Sequence, residues 1–243
     1  MIHGDFSPQP MTSPEAHDRV VELLADQRRG RVLDIPAGQG ALTLRLRELG
    51  FDVRGADINP DLFRAPGIVI DKVNLNEKLP YGNGAFDYVV CLAGLQRVIY
   101  PEITLQEFHR ILRERGRLYV DIPNYLNIRR RLQFLRTGTL ARGVDIPEFL
   151  EDQKELAGQF RTFLGYPRVK HGLDLAGFRV DTVKADRRLR SLDRHRAFVA
   201  YIRLYQWMRR GKDRKAKNPA MLPENNSDLI LGSDSLIFCC TAI

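Results

Sequence analysis

Cysteine is scarce in this chain, and the three present, Cys91, Cys239 and Cys240, each stand inside an apolar run. That excludes a disulfide-stapled fold and leaves buried, reduced thiols. The adjacent pair Cys239-Cys240 points to opposite faces of a strand, so no metal-ligand spacing arises and no metal is expected. No apolar run is long enough to span a bilayer, and the N-terminal residues show no basic-then-apolar leader. The expected location is the cytoplasm. Internal repeats and low-complexity tracts are also missing, and tryptophan occurs once, at Trp207. A chain of 243 residues can bury a large core without staples, and 1–243 reads as one α/β domain with additions.

Positive charge is plentiful but local. The chain carries a formal +8, yet residues 187–217 hold twelve Lys or Arg against two Asp, so the remainder sums to −2. A near-neutral body is not shaped to coat nucleic acid, which is therefore not the expected partner.

The most informative stretch is Arg31-Val-Leu-Asp-Ile-Pro-Ala-Gly-Gln-Gly-Ala-Leu-Thr43. A short apolar strand runs into Gly38 and Gly40, and helical spacing follows at once in Leu42, Leu44, Leu46 and Leu49. Glycines there let the backbone turn sharply and approach a ligand. The helix N-terminus behind them offers free amide donors. Asp57 ends a second strand-like run from Asp52, and a carboxylate about 20 residues past a glycine turn is placed to grip a ribose. A dinucleotide site would want Gly-x-Gly-x-x-Gly, and Thr43 stands where the third glycine would be.

The remaining pattern alternates strands and helices. Thr12-Ser-Pro-Glu15 opens a helix with the apolar stripe Val20, Val21, Leu23 and Leu24. A short strand is predicted at Ile68–Ile70 or Asp71–Leu75, and a central strand at Phe86–Leu92. A helix over Ile103–Arg113, a strand over Arg117–Ile122 and a helix over Ile128–Leu135 follow. Residues 126–170 read as a lid or substrate region, helical between Pro147 and Phe163, with a short helix at Val169–Leu175. Phe178–Val183 and Ser235–Ala242 are the last strands. Between them, 187–228 is a basic helical insertion, with Lys212–Asp228 read as a mobile loop. The alternation predicts a doubly wound, mostly parallel α/β sheet with helices on both sides.

These segments, from residue 12 to 183 with the final strand, resemble the class I S-adenosylmethionine-dependent methyltransferases. Asp34-Ile-Pro36-Ala-Gly38-Gln-Gly40 is similar to the family's first motif, with Pro36 in place of its first glycine. Asn74-Leu-Asn-Glu-Lys-Leu-Pro80 is similar to the adenine-contacting segment, with Asn74 where an aspartate is usual. Phe86–Leu92 and Glu107–Val120 resemble the fourth strand and the helix, turn and strand that follow. Pro123-Asn124 and Arg129–Leu135 resemble the methyltransferase type 11 and methionine-biosynthesis-associated subgroup. The resemblance implies a Rossmann-like, doubly wound, mostly parallel seven-stranded sheet whose last strand is antiparallel. It also implies S-adenosylmethionine as cofactor, held by Asp34, Pro36, Ala37, Gly38, Gly40, Asp57, Ile58, Asn74, Leu75, Asn76, Leu92 and Ala93, with Asp57 on both ribose hydroxyls.

The acceptor is expected beyond the carboxyl ends of the strands, beside Gln96, Arg97, Asn124 and Tyr125. Related sequences often carry Glu-His where Gln96-Arg97 stands. Arginine cannot serve as a base, so Arg97 acts catalytically by anchoring an anionic acceptor, or else pairs with an acid such as Glu102. Asp121 is the candidate general base, or a satisfied loop acceptor. His109 reads as structural or solvent-facing, His171 has no assigned place, and Arg129-Arg130-Arg131 reads as a solvated helix face.

Residues 192–210 form a helix with a broad apolar arc, Phe198, Tyr201, Ile202, Leu204, Tyr205 and Met208, and an Arg196, Arg203, Arg210 stripe. Three readings stand: a substrate lid packed on the domain, a peripheral membrane contact through 192–217, and nucleic-acid binding. The function implied is methyl transfer to a small-molecule or lipid- or glycan-linked acceptor, at oxygen. The alternatives are an RNA methyltransferase and a non-catalytic S-adenosylmethionine-binding partner subunit.

Overall fold

The computed structural model describes residues 7–139, 163–187, 191–216 and 223–243. In chain order the elements are α1 (Pro14–Ala25), β1 (Arg31–Asp34), α2 (Ala41–Glu48), β2 (Asp52–Asp57) and β3 (Ile70–Lys72). There follow β4 (Phe86–Cys91), α3 (Pro101–Ile111), β5 (Leu112–Pro123), α4 (Ile128–Thr137), α5 (Tyr166–Leu175) and β6 (Phe178–Ala185). Last come α6 (Ser191–Arg194), α7 (Arg196–Ala216), α8 (Asp228–Gly232) and β7 (Ser235–Ala242).

The strands form one seven-stranded sheet in the order β3-β2-β1-β4-β5-β7-β6. Pairings from β3 to β5 are parallel, and β7 runs antiparallel to both β5 and β6. Strand order reverses between β1 and β4, which opens a crevice at their carboxyl ends. Period-two alternation sorts side chains between the faces. Leu33, Val89, Val120 and Cys240 join α3 and α5 on one side, while Val32, Val90, Tyr119 and Cys239 join α1 and α2 on the other. The adjacent cysteines thus lie in different core layers, and all three cysteines are free and buried. None of the described helices is long and apolar enough to cross a membrane.

Several boundaries differ from the sequence reading, each for a local reason. The third strand settles at Ile70–Lys72 through parallel pairing with Gly55–Asp57. Helix α3 starts at Pro101, whose missing N–H costs nothing at a first turn. Strand β5 begins directly at Leu112 rather than Arg117: Leu112 pairs with Phe86, and Arg113–Gly116 forms a bulge with Arg115 at φ 59°. Helix α5 begins at Tyr166 because Pro167 occupies its first turn.

Lys212–Asp228 is not the loop expected. Its first residues extend α7 to Ala216, and Pro223–Asn226 forms a 3₁₀ turn leading into α8. Ser227 caps α8, accepting from the Ile230 N–H. Nor is Arg131 solvated: its half-buried guanidinium donates to Leu126 O at 2.6 Å, to Asn226 Oδ1 at 2.6 Å, and to Asn225 O. The segment expected to be helical or lid-like at Pro147–Phe163 lies, but for Phe163, outside the described residues.

Gly40 caps α2 with φ 87°, and a Cβ there would stand 2.6 Å from Phe63 Cε2 and 2.7 Å from Ala65 Cβ. Both the left-handed backbone and the contact oppose any side chain. Gly40→Ala is expected to destabilise the fold by about 1–3 kcal/mol, measured by urea unfolding. A midpoint equal to that of the wild type contradicts this packing account.

Candidate functional site

Two cavities open at the reversal of strand order. The first, of about 200 Å³, is walled by the segments following β3 and β4: Val73, Asn74, Leu75 and Asn76 face Val98 and Ile99 across it. The second, of about 440 Å³, lies over the glycine loop, between Asp34, Ala37, Gly38 and Ala93 below and Met11, Thr12 and His17 above. Pro36, Asp57, Ile58 and Arg97 line both.

Asp57 ends β2 where the two cavities meet. Its Oδ2 accepts the Gly38 N–H at 2.8 Å and its Oδ1 accepts the Asn59 N–H at 2.9 Å. The carboxylate therefore fixes the glycine loop while its remaining lone pairs stay available to a ligand. Gly38 adopts φ 54°, and a Cβ on it would reach within 2.9 Å of Met11 Sδ. Pro36, reached through a cis Ile35–Pro36 bond, packs against Gly94, where a Cβ would lie 2.6 Å from Pro36 Cδ. The glycine missing at position 36 is thus matched by one on the facing loop.

In the first cavity, Asn74 Oδ1 accepts the Asn76 N–H at 3.0 Å, and Asn74 Nδ2 donates to Glu77 Oε1 at 2.9 Å. Asn76 Oδ1 takes the Ile99 N–H at 2.8 Å, joining the two walls. Thr104 Oγ1 secures Leu75 O at 3.0 Å.

Two buried acids support the second cavity. Asp34 receives the Thr43 hydroxyl at 2.6 Å, and burial, reinforced by the nearby Asp57 charge, pushes its pKa up to about 7. Asp121 accepts the Ala93 N–H at 2.6 Å, and burial, aided by Asp186, likewise lifts its pKa to about 7 against the opposing pull of that bond. Ala93 has φ 54°, a conformation unfavourable to a residue with a Cβ, and Asp121 holds it there. Asp121 itself lines neither cavity. In this structure it acts as an acceptor for the loop at Ala93.

The other expected site residues divide sharply. Asp34, Pro36, Ala37, Gly38, Asp57, Ile58, Asn74, Leu75, Asn76, Leu92, Ala93 and Arg97 all line one cavity or both. Gly40 lines neither and serves the turn instead. Gln96 is buried outside both cavities. Asn124 is buried, and its Nδ2 donates to Ile230 O at 2.6 Å and Ser233 Oγ at 2.9 Å, pinning α8 to β5. Tyr125 is buried beside Phe163, with ring centroids 4.8 Å apart. Arg97 Nε donates to Ala93 O at 3.0 Å, while the acid suggested as its partner, Glu102, pairs with Arg168 at 3.0 Å. His109 is structural, edge-on to Phe178 at 5.3 Å. His171 is exposed on α5.

Sequence reasoning missed Thr12 and His17. Both line the second cavity, and Thr12 Oγ1 and His17 Nδ1 are buried without a hydrogen-bond partner. Burial, followed by the Arg45 charge, lowers the His17 pKa to about 4, so the ring is neutral at pH 7. The signal was available: His17 precedes Val20 by three residues and Leu24 by seven, a polar side chain on the core-facing stripe of α1.

The acids give a signed test. Folded Asp121 binds its proton up to about pH 7, whereas an unfolded aspartate releases it near its ordinary value of 3.8. Its contribution is therefore full below about pH 4 and is lost as pH rises to about 7. Asp121→Asn cannot titrate and keeps an acceptor for Ala93. The stability of the wild type relative to Asp121→Asn is expected to fall between pH 4 and 7, followed by thermal unfolding across a pH series. A constant difference contradicts a protonated Asp121.

Comparison with known proteins agrees with this geometry. A family model described as a methyltransferase domain matches residues 12–166. The chain is 33% identical over 112 residues to the demethylmenaquinone methyltransferase of Thermus thermophilus, covering 42% of this chain and 51% of that one. It is 34% identical over 113 residues to the ubiquinone/menaquinone biosynthesis C-methyltransferase UbiE of Azotobacter vinelandii, covering 41% and 45%. The chain thus spans about half the length of the curated relatives it matches. Among solved structures, a SAM-dependent methyltransferase from Archaeoglobus fulgidus superposes with a TM-score of 0.58 at 15% identity, covering 93% of this chain and 94% of that one. The 1,6-didemethyltoxoflavin-N1-methyltransferase of Burkholderia thailandensis, solved with S-adenosylhomocysteine, superposes at 0.53 with 15% identity, covering 93% and 78%. With a family model spanning well over half its length, the chain belongs to the methyltransferase domain family and carries the class I, S-adenosylmethionine-dependent fold.

Proposed function

We propose that this chain is an active methyltransferase, with its donor laid across both cavities and its acceptor, a small molecule or a lipid- or glycan-linked group, entering the larger one. One observation carries the reading: one acid, Asp57, lines two adjoining cavities. The smaller combines the apolar side chains of Ile58, Val73, Leu75 and Val98 with the amides of Asn74 and Asn76, as the faces and polar edge of a heterocycle require. The larger holds the unpartnered Thr12 hydroxyl and His17 imidazole, as a polar amino-acid group requires. S-adenosylmethionine supplies an activated methyl group when bound, so the protein's task is alignment and exclusion of water.

The residues divide that task. Asp57 accepts hydrogen bonds from vicinal hydroxyls with its free lone pairs. Asp121, through the Ala93 N–H, sets the loop that faces the acceptor. Arg97 borders both cavities and orients an anionic acceptor group, since a guanidinium does not take up a proton. His17, neutral and facing the same cavity, offers a hydrogen bond to a bound group rather than a strong base, since burial and the Arg45 charge disfavour its protonated form. The two curated relatives are named for demethylmenaquinone and for C-methylation in ubiquinone/menaquinone biosynthesis, so carbon stands beside oxygen as the receiving atom.

Asp57→Asn and Gly38→Val are expected to weaken S-adenosylmethionine binding about tenfold or more by calorimetry. The thermal transition should remain cooperative. Wild-type affinity in both variants contradicts the assigned site. Incubation with radiolabelled donor and cell extract then identifies the acceptor. Normal donor binding without transfer to any component would instead favour a non-catalytic partner subunit.

A further inference from the structure

Helix α7 has two apolar faces, and only one is used. Val199 is buried, with Phe198 and Ile202 half-buried beside it, in a cluster with Ile128, Leu192 and Leu231. The adjoining face carries Tyr201, Leu204, Tyr205 and Met208 at i, i+3, i+4 and i+7, with the Tyr201 ring stacked on Phe198 and Trp207 on the far border. Exposure along it is high: 59% for Tyr201, 54% for Leu204, 67% for Trp207 and 56% for Met208. A solvent-facing stripe is normally polar, so a contiguous apolar one marks a surface that meets something. Packing on the domain thus accounts for one face of the helix and leaves the other unexplained.

Charge selects the occupant. Between Arg196 and Ala216 the sequence has seven Lys or Arg and one Asp, while the chain outside 187–217 is net negative. Arg203 is engaged by Asp228. The mixture is an aliphatic and aromatic stripe on a strongly basic helix that cannot cross a bilayer. Tyrosine and tryptophan rings suit the boundary between hydrocarbon and headgroup, and positive charge suits anionic headgroups. Single-stranded nucleic acid would use the charge and stack on the aromatics, but it would leave Leu204 and Met208 without a partner.

We propose that the outer face of α7 docks in the headgroup layer of an anionic membrane. Tyr201, Leu204, Tyr205, Trp207 and Met208 enter the interface, and the positive charge of the helix sits over lipid phosphates. This does not rest on the methyl-transfer reading, and its failure would leave the donor site untouched.

The experiment uses the full chain and its single tryptophan, Trp207, whose emission reports on α7 alone. With phosphatidylcholine vesicles containing phosphatidylglycerol, the emission is expected to shift to the blue, and the protein to float with the vesicles. Affinity should fall about tenfold or more with phosphatidylcholine alone, and should weaken with added salt. Leu204→Glu with Met208→Glu should abolish flotation while the melting temperature and donor affinity stay at wild-type values. Four results overturn the proposal: no shift with anionic vesicles, equal binding to neutral ones, unchanged flotation of the double variant, or a shift produced by single-stranded RNA but not by vesicles. Shielding of Trp207 from acrylamide before any vesicle is added would also overturn it, because the face would then be covered within the protein or by a second copy.

Discussion

The Asp57 carboxylate accepts the Gly38 N–H at 2.8 Å and the Asn59 N–H at 2.9 Å, and the geometry of the whole site depends on that pair of bonds. Parallel pairing of β1 with β2 brings the ends of the two strands side by side, but pairing stops at Asp34 and Gly55. Beyond it, the loop from Pro36 to Gly40 is anchored by the Ala37 N–H to Ala56 O at 2.9 Å and by the Arg64 N–H to Gln39 O at 3.0 Å, and Asp57 adds the bond at Gly38. A charge-assisted bond to a backbone amide is worth about 1.5–3 kcal/mol, enough to select one loop conformation over its neighbours. Because Asp57 also lines both cavities, the group that shapes the pocket is the group that meets its contents. Ligand binding then carries little cost of ordering, since the acceptor oxygens are already fixed in place.

The same economy recurs one layer down. Asp121 reaches from β5 to the Ala93 N–H and holds a left-handed alanine at the rim. Asp34 is tied to Thr43 at the start of α2 and so joins β1 to the helix that follows it. Both acids are buried, and their raised pKa values follow from that burial. A pKa near 7 would suit proton transfer, but the geometry opposes it: Asp121 lines neither cavity, and Asp34 has spent one oxygen on a hydroxyl. Their effect on chemistry runs through the loops they hold.

The strand, glycine loop and helix, the acid at Asp57 and the buried strand at Phe86–Leu92 were legible because each rests on short-range rules. A glycine with positive φ, an apolar run and a strand-end carboxylate all announce themselves locally. What escaped was nonlocal. Asn124 looks like a pocket residue beside β5, yet its amide is consumed by carbonyl and hydroxyl groups more than 100 residues away. Arg131 looks like one of three solvated arginines until Asn225 and Asn226 arrive against it. Gly40 reads as a ligand contact, but the ring of Phe63 occupies the space its side chain would need. His17 and Thr12 were passed over because they lie before the first strand, where no motif directs attention. The antiparallel position of β7 came from the resemblance, and nothing in Ser235–Ala242 alone sets its direction.

The basic helix is a different kind of feature, because the fold does not need it. Strands β6 and β7 are antiparallel neighbours, and the chain that leaves Ala185 returns beside it at Ser235. Asp186 and Ser235 close the gap, with Ser235 N–H donating to Asp186 Oδ1 at 2.8 Å. A two-residue hairpin could join such strands. Everything between is an excursion whose entry and exit coincide, so sheet register does not constrain its sequence, and among the described residues only Ile230, with Leu229 beside it, joins a main core layer. Leu192, Val199 and Leu231, with their partly buried neighbours, seat it on α4, and the bonds of Asn124 and Arg131 hold its second half. A segment freed from the demands of folding could have carried an ordinary polar surface on its other side. That it carries tyrosine, leucine, tryptophan and methionine instead, among its lysines and arginines, is a cost in solubility that the rest of the structure does not require. Among the described residues nothing covers that face, and an anionic surface outside the fold would supply the reason for it.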